Sequence, residues 1–337
     1  MYEQGTSTGF IDVAAFVNKM RYFRMNMVQT PEQYVCLHGA LHQAFTMKDT
    51  NIKKQDFGVV WSAIVSDQRP INHQRLKEEF KMLEERKQEH SEAEHVVATS
   101  PANKDKNRNK SVLPADRNRI YLSSFEKGRT DYINAVQVPS YTKLVGYVTT
   151  QLPLPNTKVD FWTMVRDQDS SIIVLFLKNH KEADFVYSTS KSTGSLGLNT
   201  LKISNTVDEE GEIRTVSLTL SKKDDKHRAI VIYQVAVEGL PEASVLCKLT
   251  NLMSTQISMS ESPVTVVSSD GASICGLFCT FTNAVSSMTI DENADIFQLA
   301  RLLQLKRPEF FSDFEEYWKV YEAVNYYLES TNVYANY

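Results

Sequence analysis

The chain has 337 residues, of which 42% are hydrophobic and 23% are charged, a composition that allows a large folded core. Its formal net charge of −4 argues against nucleic acid or an anionic membrane surface as a partner. The four cysteines lack metal-ligand or disulfide spacing, and the longest apolar run is only Ile172 to Leu177. We therefore expect no metal, no cofactor, no membrane span in this chain and a reducing compartment.

The first fifty residues carry two helical patterns. The segment from Ile11 to Met27 has apolar residues at a helical period, namely Val13, Phe16, Val17 and Met20. Thr30 to Gln33 then has the form of a capping box with proline at N1, and it begins a second helix with Tyr34, Leu37 and Leu41 on one face. His38 and His42 lie four residues apart on this helix, and we interpret them as structural residues rather than as a metal pair.

The same two helices recur near the other end of the chain at a separation of 283 residues, from Asp12 to Asp295. Arg24 and Tyr34 match Arg307 and Tyr317 at the same separation. A repeat found only at the two ends predicts the last helices of one domain (1–50), a complete second copy (51–330) and a tail (331–337). Coincidence between amphipathic helices is the alternative, because apolar periodicity often recurs.

The segment that follows is predicted to be helical. Lys53 to Val65 places Phe57, Trp61 and Ile64 inward, and Pro70 follows as a helix breaker. Asn72 to about His95 predicts a charged, solvated helix whose apolar stripe is Leu76, Phe80 and Leu83. Ala98 to Asn109 is polar and basic, which is typical of a loop.

Strand patterns dominate the middle of the chain. The predicted strands are Asp131–Val138, Val145–Gln151, Ile172–Leu177, Phe185–Tyr187, Leu201–Thr206, Ile213–Leu220 and Ala229–Val235. Polar turns at 208–211 and 222–227 join the last three into a meander. Helices return from Ala243, and helices on either side of a mixed sheet predict an α/β (α+β) fold.

The most informative stretch is Val264 to Phe281, written VTVVSSDGASICGLFCTF. It reads as a buried strand, a small polar loop from Ser268 to Ser273, and an apolar helix from Ile274. A strand, a tight loop and a helix N-terminus gather backbone N–H groups into a cup that suits an oxyanion.

Ordered motifs along the chain resemble the protein tyrosine phosphatases. They are Lys106-Asn107-Arg108 with Val112-Leu113-Pro114, then Asp131-Tyr132-Ile133-Asn134-Ala135, then Gln151 to Asp160-Phe161-Trp162, then the loop of the preceding paragraph. The resemblance implies that family's fold, a central, highly twisted mixed β-sheet flanked by helices. The repeated helices look like the tandem domains of receptor-type phosphatases. Residues 51–330 resemble the second, membrane-distal domain, closest to degenerate domains of the leukocyte-common-antigen and gamma/zeta types.

The resemblance also implies the roles of the loop positions. The family motif is His-Cys, five residues, then Arg. Aligned on Gly276-Leu277-Phe278, these places hold Val267, Ser268 and Ile274, with Ser269, Asp270, Gly271, Ala272 and Ser273 between them. A serine hydroxyl is not ionised at neutral pH as an activated thiol is, and isoleucine offers no guanidinium to clamp phosphoryl oxygens.

Other positions implied by the resemblance are altered too. The family's general acid lies in a Trp-Pro-Asp loop that ends Gly-Val-Pro. Here Gly239-Leu240-Pro241 follows directly on Glu238, so the loop is about three residues shorter and its Trp and Asp are absent. Glu242 is the other acid nearby. Asn109 stands where the family has a stacking tyrosine. Ser312 and Glu316 stand where it has glutamines that position water, whereas Gln29 and Gln33 keep them in the N-terminal copy.

These losses predict a catalytically inactive phosphatase-like domain from the intracellular part of a receptor, on the cytoplasmic side of the plasma membrane. Its expected partners are its own upstream phosphatase domain, which it would regulate, and proteins of phosphotyrosine signalling. One alternative is a phosphotyrosine-binding module, although Asp270 would repel a dianion. Another is a residual phosphatase using Ser268 or Cys275, since a thiol in the first helical turn can have its pKa lowered by the helix dipole. No Arg or His accompanies Cys275, so we favour its interpretation as a small buried cysteine.

Overall fold

The computed structural model describes residues 1–46, 49–66, 74–123, 125–188, 193–197, 199–209, 212–222 and 227–335. Backbone contacts divide the chain into two compact units, Met1–Thr50 and Asn51–Tyr337.

In the part of the smaller unit that the structure describes there are three helices, α1 (Tyr2–Thr8), α2 (Val13–Phe23) and α3 (Pro31–Thr46). The Asp12 carboxylate caps α2 by accepting the Ala15 N–H at 2.8 Å. Before α3, the Gln33 side chain accepts the backbone N–H groups of Gln29 and Thr30. The Gln33 N–H donates in turn to the Thr30 hydroxyl, which completes the capping box that the sequence predicts.

The larger unit contains further helices and a large sheet. Its described α-helices are α4 (Phe57–Val65), α5 (Gln74–Glu85), α6 (Val96–Thr99), α7 (Lys158–Asp167), α8 (Ala243–Met259), α9 (Ser273–Ile290), α10 (Ile296–Gln304) and α11 (Phe314–Ala335). Short 3₁₀ helices lie at Lys54–Asp56, Glu92–Glu94, Lys104–Lys106 and His180–Phe185. Its described strands are β1 (Ile52–Lys53), β2 (Arg119–Tyr121), β3 (Tyr132–Val138), β4 (Tyr147–Gln151), β5 (Ile172–Leu177), β6 (Thr193–Leu196), β7 (Asn199–Glu209), β8 (Ile213–Lys222), β9 (Arg228–Ala236), β10 (Val264–Ser268) and β11 (Asn293–Ala294).

Among the described residues, nine strands form one mixed sheet in the order β2-β3-β4-β10-β5-β9-β8-β7-β6. The four central strands β4, β10, β5 and β9 run parallel, and the strands on either side are antiparallel. Strands β1 and β11 form a separate short ladder. The predicted α/β fold with a central mixed sheet flanked by helices is confirmed, and so is the meander β7-β8-β9.

Strand β10 lies at the centre of this sheet, between β4 and β5. Val266 pairs with Thr149 on one side and with Val174 on the other, and it is fully buried. All five residues of this strand, VTVVS, are buried, which explains why the strand contains no charged residue. Ser268, the last residue of β10, lies opposite Gln151, the last residue of β4. The loop after β10 therefore leaves the sheet at the carboxyl ends of its parallel strands, the usual place for a ligand site.

Two sequence predictions are wrong. Phe185–Tyr187 is not a strand, because the preceding residues form a 3₁₀ helix capped by the Asn179 side chain. The apolar signal there reflects core packing, since Val186 and Tyr187 are buried. The charged helix ends at Glu85 rather than near His95. A separate 3₁₀ helix, Glu92–Glu94, follows, and a capping box formed by Ser91 begins it.

The last helix is longer than the sequence predicts. α11 continues through Ala335, so most of the segment predicted as a tail is helical, and 336–337 lie outside the described residues. Pro70, and residues 210–211 and 223–226 of the predicted turns, also lie outside the described residues. Helix α9 is long and apolar enough to cross a membrane, but 72% of it is buried inside this fold, as befits a core helix.

Candidate functional site

The strand, loop and helix after β10 form the predicted cup. Ser268 is buried at the end of the strand, and its carbonyl accepts the Leu152 N–H at 2.7 Å. Gly271 has a φ of +75°, a region that favours glycine. A Cβ at this position would lie 2.5 Å from the Gln151 nitrogen, so the close approach of the loop to β4 also requires glycine.

The backbone donors of the cup are occupied by side chains of the loop itself. The Gly271 N–H donates to Ser268 Oγ at 3.0 Å, and the Ala272 N–H donates to Asp270 Oδ1 at 2.9 Å. The Ser268 hydroxyl donates to the same carboxylate oxygen at 3.2 Å. A carboxylate thus lies at the helix N-terminus, where the helix dipole stabilises a negative charge. The negative charge in the cup is therefore supplied by the protein itself, through Asp270.

Arg307, three residues after the end of α10, holds the loop in place by hydrogen bonds. Its guanidinium is 1% exposed and donates to the Gly271 carbonyl at 2.8 Å and to Asn134 Oδ1 at 2.7 Å. Burial lowers the pKa of Arg307. In the sequence this arginine stood out only as the repeat partner of Arg24.

The Cys275 thiol is fully buried and donates to Ser268 Oγ at 3.4 Å. Burial raises its pKa to about 12. The structure agrees with the interpretation of Cys275 as a small buried cysteine rather than an activated thiol, because removal of the thiolate from water outweighs a dipole effect of about 1 kcal/mol. At neutral pH the group is a thiol and a poor nucleophile.

Glu316 is brought to the cup, whereas Ser312 is left exposed before α11. The Ser273 hydroxyl donates to the Glu316 carboxyl group, which is 4% exposed. Burial raises the pKa of Glu316, and the charge of Asp270 adds to the effect. The place where the resemblance expects a water-positioning glutamine therefore holds a buried acid.

The segment 106–109 lies against the end of β4. The Gln151 side chain accepts the Arg108 N–H and donates to the Lys106 carbonyl, both at 2.8 Å. The Arg108 guanidinium donates to the carbonyls of Leu152 and Pro153 and stacks over the Phe185 ring. Asn109 is exposed, and its side-chain oxygen accepts the Ser111 N–H at 2.9 Å. The asparagine therefore folds back on its own backbone.

The remaining predicted site residues lie apart or inside the core. Glu238 is exposed in the turn between β9 and α8, beside Gly239. Glu242 precedes α8 and pairs with Lys319 at 3.5 Å. Val267 is fully buried in β10. Within the described part of the chain, no group of three or more residues is arranged to bind a metal ion.

A central parallel region with a strand–loop–helix cup at its carboxyl edge is an arrangement that many α/β domains use to bind anions. A profile of the protein-tyrosine phosphatase family matches residues 103–326, and the chain belongs to this family.

The chain is similar to several receptor-type members of the family. It is 26% identical to human receptor-type tyrosine-protein phosphatase zeta over 335 residues, which cover 96% of this chain and 14% of that protein. It is 28% identical to human receptor-type phosphatase alpha over 339 residues (97% and 42%), and 28% to human epsilon over 342 residues (97% and 48%). The chain thus spans less than half the length of each of these relatives.

Proposed function

We propose that residues 51–337 form a catalytically inactive tyrosine-phosphatase-like domain that acts by regulation and protein–protein interaction. The observation that carries this proposal is that the backbone donors of the cup already have acceptors within the loop. Ser268 and Asp270 accept the N–H groups that would bind a phosphoryl group. A phosphate dianion would have to displace a carboxylate already bonded at that place.

The chemistry of the loop supports the same proposal. The family reaction uses a thiolate nucleophile, whereas Ser268 is a buried hydroxyl and the nearby Cys275 thiol has a pKa raised to about 12. Ile274, at the place of the family's arginine, has no donor for phosphoryl oxygens. Loss of one such group typically costs about 3 kcal/mol of transition-state stabilisation.

The surroundings of the cup support it further. Asn109 bonds to its own turn and supplies no aromatic wall for a phenyl ring. Glu238 is exposed in a short turn, and Ser312 is exposed before α11. These are the positions that the family uses for substrate stacking, the general acid and water positioning.

We also propose that this domain is the second of two in the cytoplasmic part of a receptor, and that 1–50 are the last helices of the first. The alignments with receptor-type relatives extend over 96–97% of the chain, well before the family match begins at residue 103. Its partners would then be the preceding domain and proteins of phosphotyrosine signalling.

Turnover of aryl phosphates and phosphotyrosine peptides by the purified chain tests the loss of activity. We expect no rate above buffer, with an active family member as the positive control. A rate that disappears in Ser268→Ala or Cys275→Ala would contradict the proposal. Titration with a phosphotyrosine peptide tests the binding alternative, and saturable binding abolished by a change in the cup would show a phosphopeptide-binding module instead.

A further inference from the structure

A cleft of about 680 Å³ lies in the larger unit, between the start of α4, the turn after α9 and the second half of α11. Its volume falls within the range of small-molecule sites, roughly 300–1,000 Å³. Helix α9 begins at the cup and ends at this cleft, and a helix of its 18 residues is about 27 Å long. The cleft is therefore distinct from the cup.

One wall of the cleft carries two lysines. Lys53 pairs with Asn293 in the β1–β11 ladder, and the Lys54 N–H donates to the Glu292 carbonyl at 2.8 Å. Both lysines are exposed, and within the described part of the chain neither forms an ion pair. Positive charge without a fixed partner favours an anionic group at this wall.

Helix α11 forms another wall, which carries a largely buried amide. Asn325 is 6% exposed, and its Nδ2 donates to Glu329 Oε1 at 2.8 Å. This bond assigns the orientation of the amide and leaves Oδ1 as an acceptor. Among the residues that the structure describes, none donates a hydrogen bond to Oδ1.

The amide oxygen of Asn325 faces the cleft. It lies 4.0 Å from the position of a Cβ built on Gly58, a residue of α4 that also lines the cleft. An acceptor in a largely buried side chain is costly to leave without a donor, so this oxygen favours a ligand with an N–H group. The carboxylate of Glu329 beside it favours a cationic donor, such as a guanidinium or an ammonium group.

The other acids of the cleft leave this charge pattern in place. Asp291 uses its carboxylate to accept the Tyr141 hydroxyl. Glu292 holds Lys54 through its carbonyl, and its side chain is exposed. The cleft thus carries both signs of charge, with two lysines on the wall of β1 and Glu329 on the wall of α11. A ligand with a single charge would be attracted by one wall and repelled by the other.

We propose that this cleft binds a small zwitterion, with a guanidinium or ammonium group at one end and a carboxylate at the other. The cationic end would donate to Asn325 Oδ1 and pair with Glu329. The anionic end would bind Lys53 and Lys54. Leu328, which is buried and lines the cleft, gives an apolar surface for a short aliphatic link between the two ends. This site depends neither on the chemistry of the cup nor on a preceding domain.

The test uses the chain 1–337 and 4-guanidinobutanoate, which carries a guanidinium and a carboxylate on a chain of three methylene groups. Ligand-observed NMR titration measures its Kd. We expect saturable binding with a Kd of about 1 mM, which is ordinary for a probe of about ten non-hydrogen atoms. Propylguanidine lacks the carboxylate and butanoate lacks the guanidinium, so each should bind at least about tenfold more weakly.

Gly58→Gln should block the cleft without loss of the fold. A Cβ at this position meets no atom closer than 4.0 Å, and glutamine is a better helix former than glycine, so Tm should rise. The added side chain would occupy the space beside Asn325 Oδ1 and raise the Kd of 4-guanidinobutanoate at least about tenfold. The matched control is Val59→Gln, because the next residue is 74% exposed and lies outside the cleft. This control should leave the Kd unchanged.

Two further variants separate the two ends of the ligand. Glu329→Gln keeps an acceptor for the Asn325 amide and removes the charge, so it should weaken 4-guanidinobutanoate about threefold and leave butanoate unchanged. Lys54→Ala should weaken 4-guanidinobutanoate by a similar factor and leave propylguanidine unchanged. Glu315→Gln, at an exposed position of α11 outside the cleft, controls for the change in net charge.

Three results would overturn the proposal. The first is no saturable binding of 4-guanidinobutanoate, as expected of a cleft that holds only water. The second is binding of propylguanidine as tight as that of 4-guanidinobutanoate, because the site would then select a cation alone. The third is an equal loss in Gly58→Gln and Val59→Gln, which would place the binding elsewhere. If Gly58→Gln does not fold, Glu329→Gln and its control decide.

Discussion

The peptide unit between Gly271 and Ala272 shows how a few contacts determine the state of the cup. Its carbonyl is bound by Arg307 and its N–H by Asp270, so its orientation is fixed from both sides. The Gly271 N–H is bound by Ser268. Because buried backbone groups are costly to leave unpaired, these contacts stabilise a loop that has no bound ligand.

Gly271→Ala should destabilise the fold by about 3 kcal/mol, through its positive φ and through the contact of the new Cβ with β4. Gly239→Ala is the matched control, with a φ of +88° and no atom within 4 Å of the new Cβ. It should cost only the conformational part, about 1 kcal/mol. Urea unfolding of both variants measures the difference, and equal losses would contradict the close approach of the loop to Gln151.

Glu316→Gln should stabilise the protein at neutral pH, because burial raises the pKa of this carboxyl group in the folded state. A raised pKa favours folding below the ordinary carboxyl pKa, and this contribution is lost as the pH rises through the raised value. The gain in Tm of the variant should therefore grow from acidic to neutral pH.

Thermal unfolding between about pH 4 and pH 7 measures this effect, since the ordinary carboxyl pKa lies near the lower limit. Glu315→Gln, at an exposed position one residue away, controls for the change in net charge. A gain that shrinks toward neutral pH would contradict the buried acid.

The double variant Ser268→Cys with Ile274→Arg should remain at least about 100-fold slower than an active family member, because Glu238, nearest the place of the family's general acid, is exposed in a short turn. Asp270 would also still occupy the Ala272 N–H. Steady-state kinetics with an aryl phosphate measure the rate. Full family activity in the double variant would show that the short turn at Glu238 supplies a competent acid.

At the scale of whole elements, the sequence predicts the regular parts well. Ile172–Leu177 is recognisable because a strand buried on both faces has a continuous apolar sequence. The meander is recognisable because strands buried on one face alternate apolar and polar residues. β2 and β6 were missed because short edge strands carry too few residues for a pattern. The Ser91 capping box was present in the sequence, but the continuing charged pattern outweighed it.

The candidate site was predictable in its position but not in its bonding. The strand–loop–helix order and the identity of Ser268 can be read from the sequence. The capture of the Ala272 N–H by Asp270 depends on the loop conformation. The raised pKa of Cys275 depends on burial by elements distant in the sequence, so the residues around Cys275 in the sequence do not predict it.

Helices α2 and α3 should exchange their amide protons faster than β5 and β10 in the chain 1–337. Large apolar side chains at their surface, such as Tyr22 at 86% and Phe23 at 76% exposed, show that these helices bury little apolar area in this chain. Hydrogen exchange with mass spectrometry measures the difference. Protection in α2 and α3 equal to that of β10 would show that the first fifty residues belong to this domain.

At the scale of the whole molecule, the division at Thr50 predicts that 51–337 fold alone. Deletion of residues 1–50 should change the Tm of the remaining chain by less than about 2 °C, since less than about 0.5 kcal/mol would be lost from a unit of this size. Differential scanning calorimetry of both chains measures this. A larger fall in Tm would show that the sheet depends on the first helices.

The occupied cup has an evolutionary consequence. A return to anion binding requires the loss of the Asp270 carboxylate, and that change alone leaves the buried Ala272 N–H without its acceptor. Replacement of Ser268 alone removes the acceptor of the Gly271 N–H while Asp270 still fills the helix N-terminus. Each single substitution leaves a buried N–H group without its acceptor and lowers stability, so under the proposed function selection acting one change at a time has no favourable first step toward an anion-binding loop.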